Sequence, residues 1–146
     1  MLDLSIWGKT MFVEFLIEHW QLAAAWLVLL FLLLNHENRR GGKAVTPQQL
    51  SDMVNREDAL VLDIRDSGEF RQGHIVNSLN IPLKDIDNRI SELGTHKEKP
   101  VIVVCKIGQS ATGITKQLKT NGFTSVYKLG GGLSEWTASN LPLVKQ

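Results

Sequence analysis

The chain has 146 residues, with 16 basic side chains against 15 acidic ones and a formal net charge of +1. That balance argues against a nucleic-acid partner, which requires a basic patch or stripe. One cysteine, Cys105, excludes an intramolecular disulfide and a cysteine-cluster metal site; the histidines (His19, His36, His74, His96) show no ligand spacing, so no metal and no cofactor is expected.

Two regions differ in composition. Up to about residue 35 the chain is nearly all apolar; the remainder, roughly 105 residues, has ordinary charge and glycine content and can build one modest core. Every residue from Leu22 to Leu34 is Ala, Trp, Leu, Val or Phe. That run alone is too short to cross about 30 Å of hydrocarbon. Extended back to Phe12 it reaches a spanning length at about 1.5 Å per residue, so a transmembrane anchor is expected over residues 1–35. Glu14, Glu18 and Gln21 share one helix face. Either this end lies among the headgroups, as Trp7 and Trp20 suggest, or the face meets another transmembrane helix. Asp3 and Glu14 outweigh Lys9, and no small-residue cleavage site follows Leu34, which points to a retained anchor over a cleaved signal. Arg39, Arg40 and Lys43 just beyond the span place the C-terminal domain in the cytoplasm by the positive-inside rule.

Asn35 to Lys43 is polar and contains Gly41-Gly42, which predicts a linker over 36–43 and a folded domain over 44–146. Thr46-Pro47-Gln48-Gln49 reads as a helix start, with Thr as N-cap, Pro at the first helical position and Gln reaching back. Leu50, Met53 and Val54 give that helix its apolar face. Ala59–Ile64 reads as a buried strand ending at Asp63 and Arg65. Asp66 to Phe70 is a turn into a short helix, and a short strand near Ser78–Ile81 stops at Pro82. Apolar residues at 83, 86, 90 and 93 predict a helix over Leu83–Leu93. Val101–Val104 is an uninterrupted β-branched run suited to a strand covered on both faces. Ser125–Leu129 is the last strand, Gly130-Gly131-Gly132 a tight loop, and Leu133–Ala138 a short helix bearing Trp136. Strands alternating with helices predict an α/β domain with a mainly parallel sheet and helices on both faces.

Cys105 stands where the β-branched strand hands over, through a loop with one glycine, to a helix capped by Ser110 or Thr112. Ligands of open α/β sheets bind at that edge. Main-chain N–H groups and the helix dipole favour an anion there, and so a thiolate over a thiol. Free cysteine is equally at home as a small buried hydrophobe. From the residues alone, both readings stand.

The set Val61-Leu-Asp-Ile-Arg65, Glu69-Phe70, Gly73-His-Ile75, Ser78-Leu79-Asn80-Ile81-Pro82, Cys105-Lys-Ile-Gly-Gln-Ser110, Gly131-Gly132, Trp136 and Leu141-Pro142 resembles the rhodanese-like (sulfurtransferase) domain, in that family's order, over nearly the whole chain from about residue 43. With the apolar segment in front, the chain resembles the small single-pass rhodanese proteins of bacterial inner membranes. The resemblance implies that Cys105 is the nucleophile. It implies that sulfur passes from a small donor, thiosulfate or a persulfide, through a Cys105 persulfide to an external thiol or protein acceptor. The backbone of Lys106, Ile107, Gly108, Gln109, Ser110 and Ala111 would then bind the substrate, with Lys106 either drawing in an anionic donor or standing as a solvated loop lysine. Asp63, Arg65 and Glu69 read as structural: an Arg65–carboxylate pair bracing the turn. His74 reads as a framework residue. Related folds that handle phosphate or arsenate use Cys-x5-Arg; here the corresponding residue is Ala111, which disfavours that chemistry. The other alternative is a non-catalytic, membrane-tethered module that binds partner proteins.

Overall fold

The computed structural model describes residue 14, residues 18–40 (main chain alone from residue 34) and residues 42–146. The chain divides after Arg40 into two compact units.

The described part of the first unit is dominated by helix α1, Trp20–Arg40. Its apolar side chains face outward: Trp20, Leu22, Trp26 and Phe31 are each more than 60% exposed. Among the described residues no helix is long and apolar enough to cross a membrane. The anchor expected over residues 1–35 is therefore not shown. The apolar run Leu22–Leu34 rises only about 20 Å, and the stretch meant to complete it, residues 12–17, lies almost wholly outside the described residues. Glu14 and Glu18 are exposed. The polar stretch expected as a linker is helical as far as Arg40.

The second unit runs β1 (Lys43–Val45), α2 (Pro47–Glu57), β2 (Leu60–Asp63), α3 (Ser67–Gln72), β3 (Leu79–Asn80), α4 (Ile86–Arg89), β4 (Val101–Val104), α5 (Gln109–Thr120), β5 (Val126–Leu129) and α6 (Gly132–Ala138). The sheet order is β1-β5-β4-β2-β3, and every pairing is parallel. The expected α/β class and sheet are found.

β4 lies at the centre. Ile102 sits opposite Val61 on one side and Tyr127 on the other, and all four β4 residues are fully buried. A run of β-branched residues suits that position because both faces are covered. Val101 and Val103 pack with Leu62, Ile114 and Leu118 against the α5 layer. Ile102 and Val104 pack with Leu50, Val61 and Trp136 against the α2 and α6 layer. This two-residue alternation carries past the strand end, so Cys105 falls in the α5 layer.

α2 starts as its sequence indicates. Thr46 Oγ1 accepts the Gln49 N–H at 3.2 Å, and Gln49 Oε1 accepts the Thr46 N–H at 2.9 Å, a complete capping box. Thr46→Ala is expected to cost about 1 kcal/mol in urea unfolding; an unchanged midpoint would show that the box contributes nothing. At its other end α2 stops on Asp58, left-handed at φ 53. Lys99 pairs with Asp58, and that hydrogen bond and charge hold the Asp58 carboxyl below the usual carboxylate range.

Two local expectations are corrected. The segment expected as a helix over Leu83–Leu93 is a 3-10 turn, the single α turn α4, and a longer 3-10 stretch to His96. Ile86 and Leu93 are buried under the sheet, and that inward spacing is met by either kind of turn. The strand β1 has no counterpart among the predicted elements. It is a three-residue edge on which only Val45 is buried, and so carries almost no periodic signal.

Candidate active site

Cys105 lies one residue past β4, and α5 begins four residues later. Between them the loop turns on Gly108, at φ 89, which is also the N-cap of α5. The expected caps, Ser110 and Thr112, lie inside the helix. A left-handed residue at that point is what glycine supplies at least cost. The turn brings the Gly108 N–H onto Cys105 Sγ at 3.0 Å. The first N–H groups of α5, from Gln109 onward, have no acceptor within the helix and carry its positive dipole end.

The opposite side of the loop is held by α6. The Leu133 N–H donates to Cys105 O at 2.9 Å, and the Ser134 N–H donates to Lys106 O at 3.1 Å. Ser134 Oγ adds a second bond to Lys106 O at 3.0 Å. In a trans peptide the N–H points opposite to the C=O. Fastening these two carbonyls to α6 therefore turns the N–H groups of Lys106 and Ile107 away from it. Gly132 makes this close approach possible. It sits at φ 61, and a Cβ there would overlap Cys105 O and come within 2.7 Å of the Lys106 carbonyl carbon.

Cys105 itself is only 5% exposed. It is reached through a pocket of about 420 Å³ whose walls include Arg65, Glu69, Lys84, Lys106 and Ser110. The sulfur is thus neither sealed in the core nor displayed on the surface. Ile107 is 55% exposed and lies outside that wall. Ala111, the position where an oxyanion-binding arginine would stand, is fully buried among core residues. It is not part of the pocket wall.

The residues expected to be structural divide into two groups. Arg65 Nη2 meets Asp63 Oδ2 at 2.6 Å, and Arg65 Nε lies 3.0 and 3.1 Å from the two carboxylate oxygens. A further bond runs from Arg65 Nη2 to Gly73 O at 2.9 Å. Both residues are buried. The carboxylate that braces Arg65 is therefore Asp63. Glu69 instead pairs with Lys106, Oε1 to Nζ at 3.3 Å, at the exposed mouth. Lys106 is accordingly tied across the pocket wall. His74 is buried, its Nδ1 lies 2.8 Å from Phe70 O, and its ring stacks on Phe70 at 3.8 Å. It serves the framework, as expected.

Several contributors were not among the predicted site residues. Asn80 Nδ2 donates to Asp63 O at 3.0 Å and to Arg65 O at 2.9 Å, fixing the end of β2 beside the pocket. Ser134 and Gly132 hold the cysteine loop from behind, and Asp66, Leu83 and Lys84 complete the wall. The pair Gly131-Gly132 ahead of a helix was the signal for the close approach. Asn80 entered only within the Ser78–Pro82 stretch of the family resemblance, and nothing local in the sequence marks Lys84.

The rhodanese-like domain family model matches residues 46–139. The chain is 36% identical over 137 residues to the uncharacterized protein YibN of Escherichia coli (strain K12), covering 91% of this chain and 96% of that one. It is 30% identical over 96 residues to the thiosulfate sulfurtransferase GlpE of Coxiella burnetii (strain RSA 493 / Nine Mile phase I), covering 66% of this chain and 88% of that one. In fold it is similar to a rhodanese-related protein from Thermoplasma volcanium, with a TM-score of 0.65 at 24% identity over 71% of this chain and 99% of that one. The matched residues take in strands β2 to β5, the cysteine loop and α6: this chain belongs to the rhodanese-like domain family.

Proposed function

We propose that the protein is a rhodanese-type sulfurtransferase that carries sulfur as a persulfide on Cys105. The observation that carries this reading is the Gly108 N–H on Cys105 Sγ, at the floor of an open pocket and ahead of a helix N-terminus. With thiosulfate, the Cys105 thiolate attacks the outer sulfur. The S–S bond of the donor breaks, sulfite leaves with the electron pair, and Cys105 holds a persulfide anion. Main-chain N–H groups of residues 106–111 are the groups available to stabilise that anion. An acceptor then attacks the terminal sulfur and Cys105 leaves as thiolate. This sequence holds no second cysteine to take the sulfur, so the acceptor is an external thiol, a partner protein or, in the test tube, cyanide.

Such a cycle is double displacement. Parallel double-reciprocal lines for thiosulfate and cyanide are the expected result; intersecting lines that require a ternary complex count against it. Cys105→Ser is expected to abolish turnover. If a cellular phenotype of the gene's loss is rescued equally well by Cys105→Ser, the protein acts as a non-catalytic binding module instead.

We also propose that the apolar segment tethers the domain to the bacterial inner membrane, with the domain in the cytoplasm. The support is the outward-facing apolar surface of α1 and the Arg39, Arg40 and Lys43 charges that follow it. Full-length protein should stay in the pellet after alkaline extraction of membranes, and a reporter fused after Gln146 should be active in the cytoplasm. Release into the supernatant, or a reporter active only in the periplasm, would overturn the tether or its orientation.

A further inference from the structure

The pocket above Cys105 has more room and more charge than thiosulfate uses. At about 420 Å³ it is many times the roughly 30 Å³ share of a water molecule and falls in the range of small-ligand sites. Its wall includes two lysines, Lys84 and Lys106, and two carboxylates, Asp66 and Glu69. The remaining cation in the wall, Arg65, is spent on Asp63. The charges at the mouth therefore cancel, two against two. An anionic donor is served by the main-chain N–H groups of the cysteine loop, and the side chains at the mouth add no excess of positive charge to them. Two of the four have no ion-pair partner among the described residues, Asp66 and Lys84. The other two form the Glu69–Lys106 pair at 3.3 Å, in which the side chains are 40% and 74% exposed. An exposed pair of this kind is held weakly and exchanges readily for new partners.

Resting on the sulfurtransferase reading, we propose that the small acceptor for which this pocket is built is an α-amino-acid thiol. Its ammonium group is received by Glu69 and Asp66, and its carboxylate by Lys106 and Lys84. Its thiolate attacks the terminal sulfur of the Cys105 persulfide. The S–S bond to Cys105 breaks, Cys105 takes the electron pair and becomes a thiolate, and the acceptor leaves as a persulfide. No oxidant or reductant enters. Ligand ammonium and carboxylate replace the Glu69–Lys106 contact and satisfy the two unpaired charges, which a neutral or singly charged thiol cannot do.

The test is single-turnover discharge of thiosulfate-loaded protein by three thiols of similar size, compared per thiolate: L-cysteine (zwitterion), cysteamine (cation only) and 3-mercaptopropionate (anion only). L-Cysteine is expected to discharge the persulfide about fivefold faster than either of the others, the factor that one rim ion pair supplies. Glu69→Gln should slow L-cysteine and cysteamine relative to 3-mercaptopropionate, and Lys84→Gln should slow L-cysteine and 3-mercaptopropionate relative to cysteamine. Discharge by cyanide checks that each variant is folded and loaded. Equal discharge by all three thiols, or variants that affect all three alike, would overturn this proposal alone. Failure of Cys105 to load at all would overturn the sulfurtransferase reading and this proposal with it.

Discussion

Gly132→Ala is expected to destabilise the domain by about 3 kcal/mol and to lower sulfur transfer by roughly a hundredfold. Two costs combine. The residue sits at φ 61, a left-handed conformation that costs an L side chain about 1–2 kcal/mol. The new methyl group also meets the main chain of Cys105 and Lys106, which is backbone and cannot rotate aside. Relief requires α6 to back away, which breaks the bonds from Leu133 and Ser134 to the cysteine loop. The loop then loses the constraint that orients its amides. Urea unfolding reads the first effect and persulfide formation with thiosulfate reads the second. Wild-type values in both would mean that the loop holds its shape without α6.

Asp63→Ala is the second large effect, expected at about 3–5 kcal/mol. It leaves the Arg65 guanidinium buried with Gly73 O as its one remaining acceptor among the described residues. A domain of this size has a total stability of about 5–15 kcal/mol, so the variant should unfold at much lower urea and remain partly unfolded at growth temperature. The pair's own net worth is a separate quantity, since desolvating two charges offsets much of their attraction. The double variant Asp63→Leu/Arg65→Met is therefore expected to recover most of the lost stability. If it stays as unstable as Asp63→Ala, the Arg65 contacts stabilise the fold by more than neutralising a charge.

The parts of the fold legible in the sequence are those in which one residue pattern has one structural solution. Val101–Val104 could hardly be anything but a central strand, and Thr46-Pro47-Gln48-Gln49 spelled out a cap that the structure forms atom for atom. The segment over 83–93 was legible as a buried face but not as a particular helix type, because its spacing fits both 3-10 and α turns. β1 was hidden for a different reason: at three residues its existence depends on β5 presenting a free edge to pair with. Strand order is in the same position, being set by contacts far apart in the chain.

Within the site, the cysteine and its loop were legible because strand, turn and helix signals converge on a few adjacent residues. The partner of Arg65 was less so. Sequence spacing left the carboxylate open between a strand residue and a helix residue. The structure puts Asp63 and Arg65 together because the guanidinium folds back alongside the end of β2, while Glu69, on α3, points to the mouth and meets Lys106. The charge alternation at the rim was not legible at all. Lys84 comes from the 3-10 turn after β3 and Glu69 from α3, and only the parallel sheet brings those segments to one edge.

A sulfurtransferase of this kind must take up sulfur at Cys105. Purified protein incubated with thiosulfate and examined intact by mass spectrometry should gain the mass of a single sulfur atom. Peptide mapping should place it on Cys105, and cyanide should remove it. A protein that stays unmodified with thiosulfate and with a low-molecular-weight persulfide, or that takes up sulfur equally well as Cys105→Ser, would contradict that function.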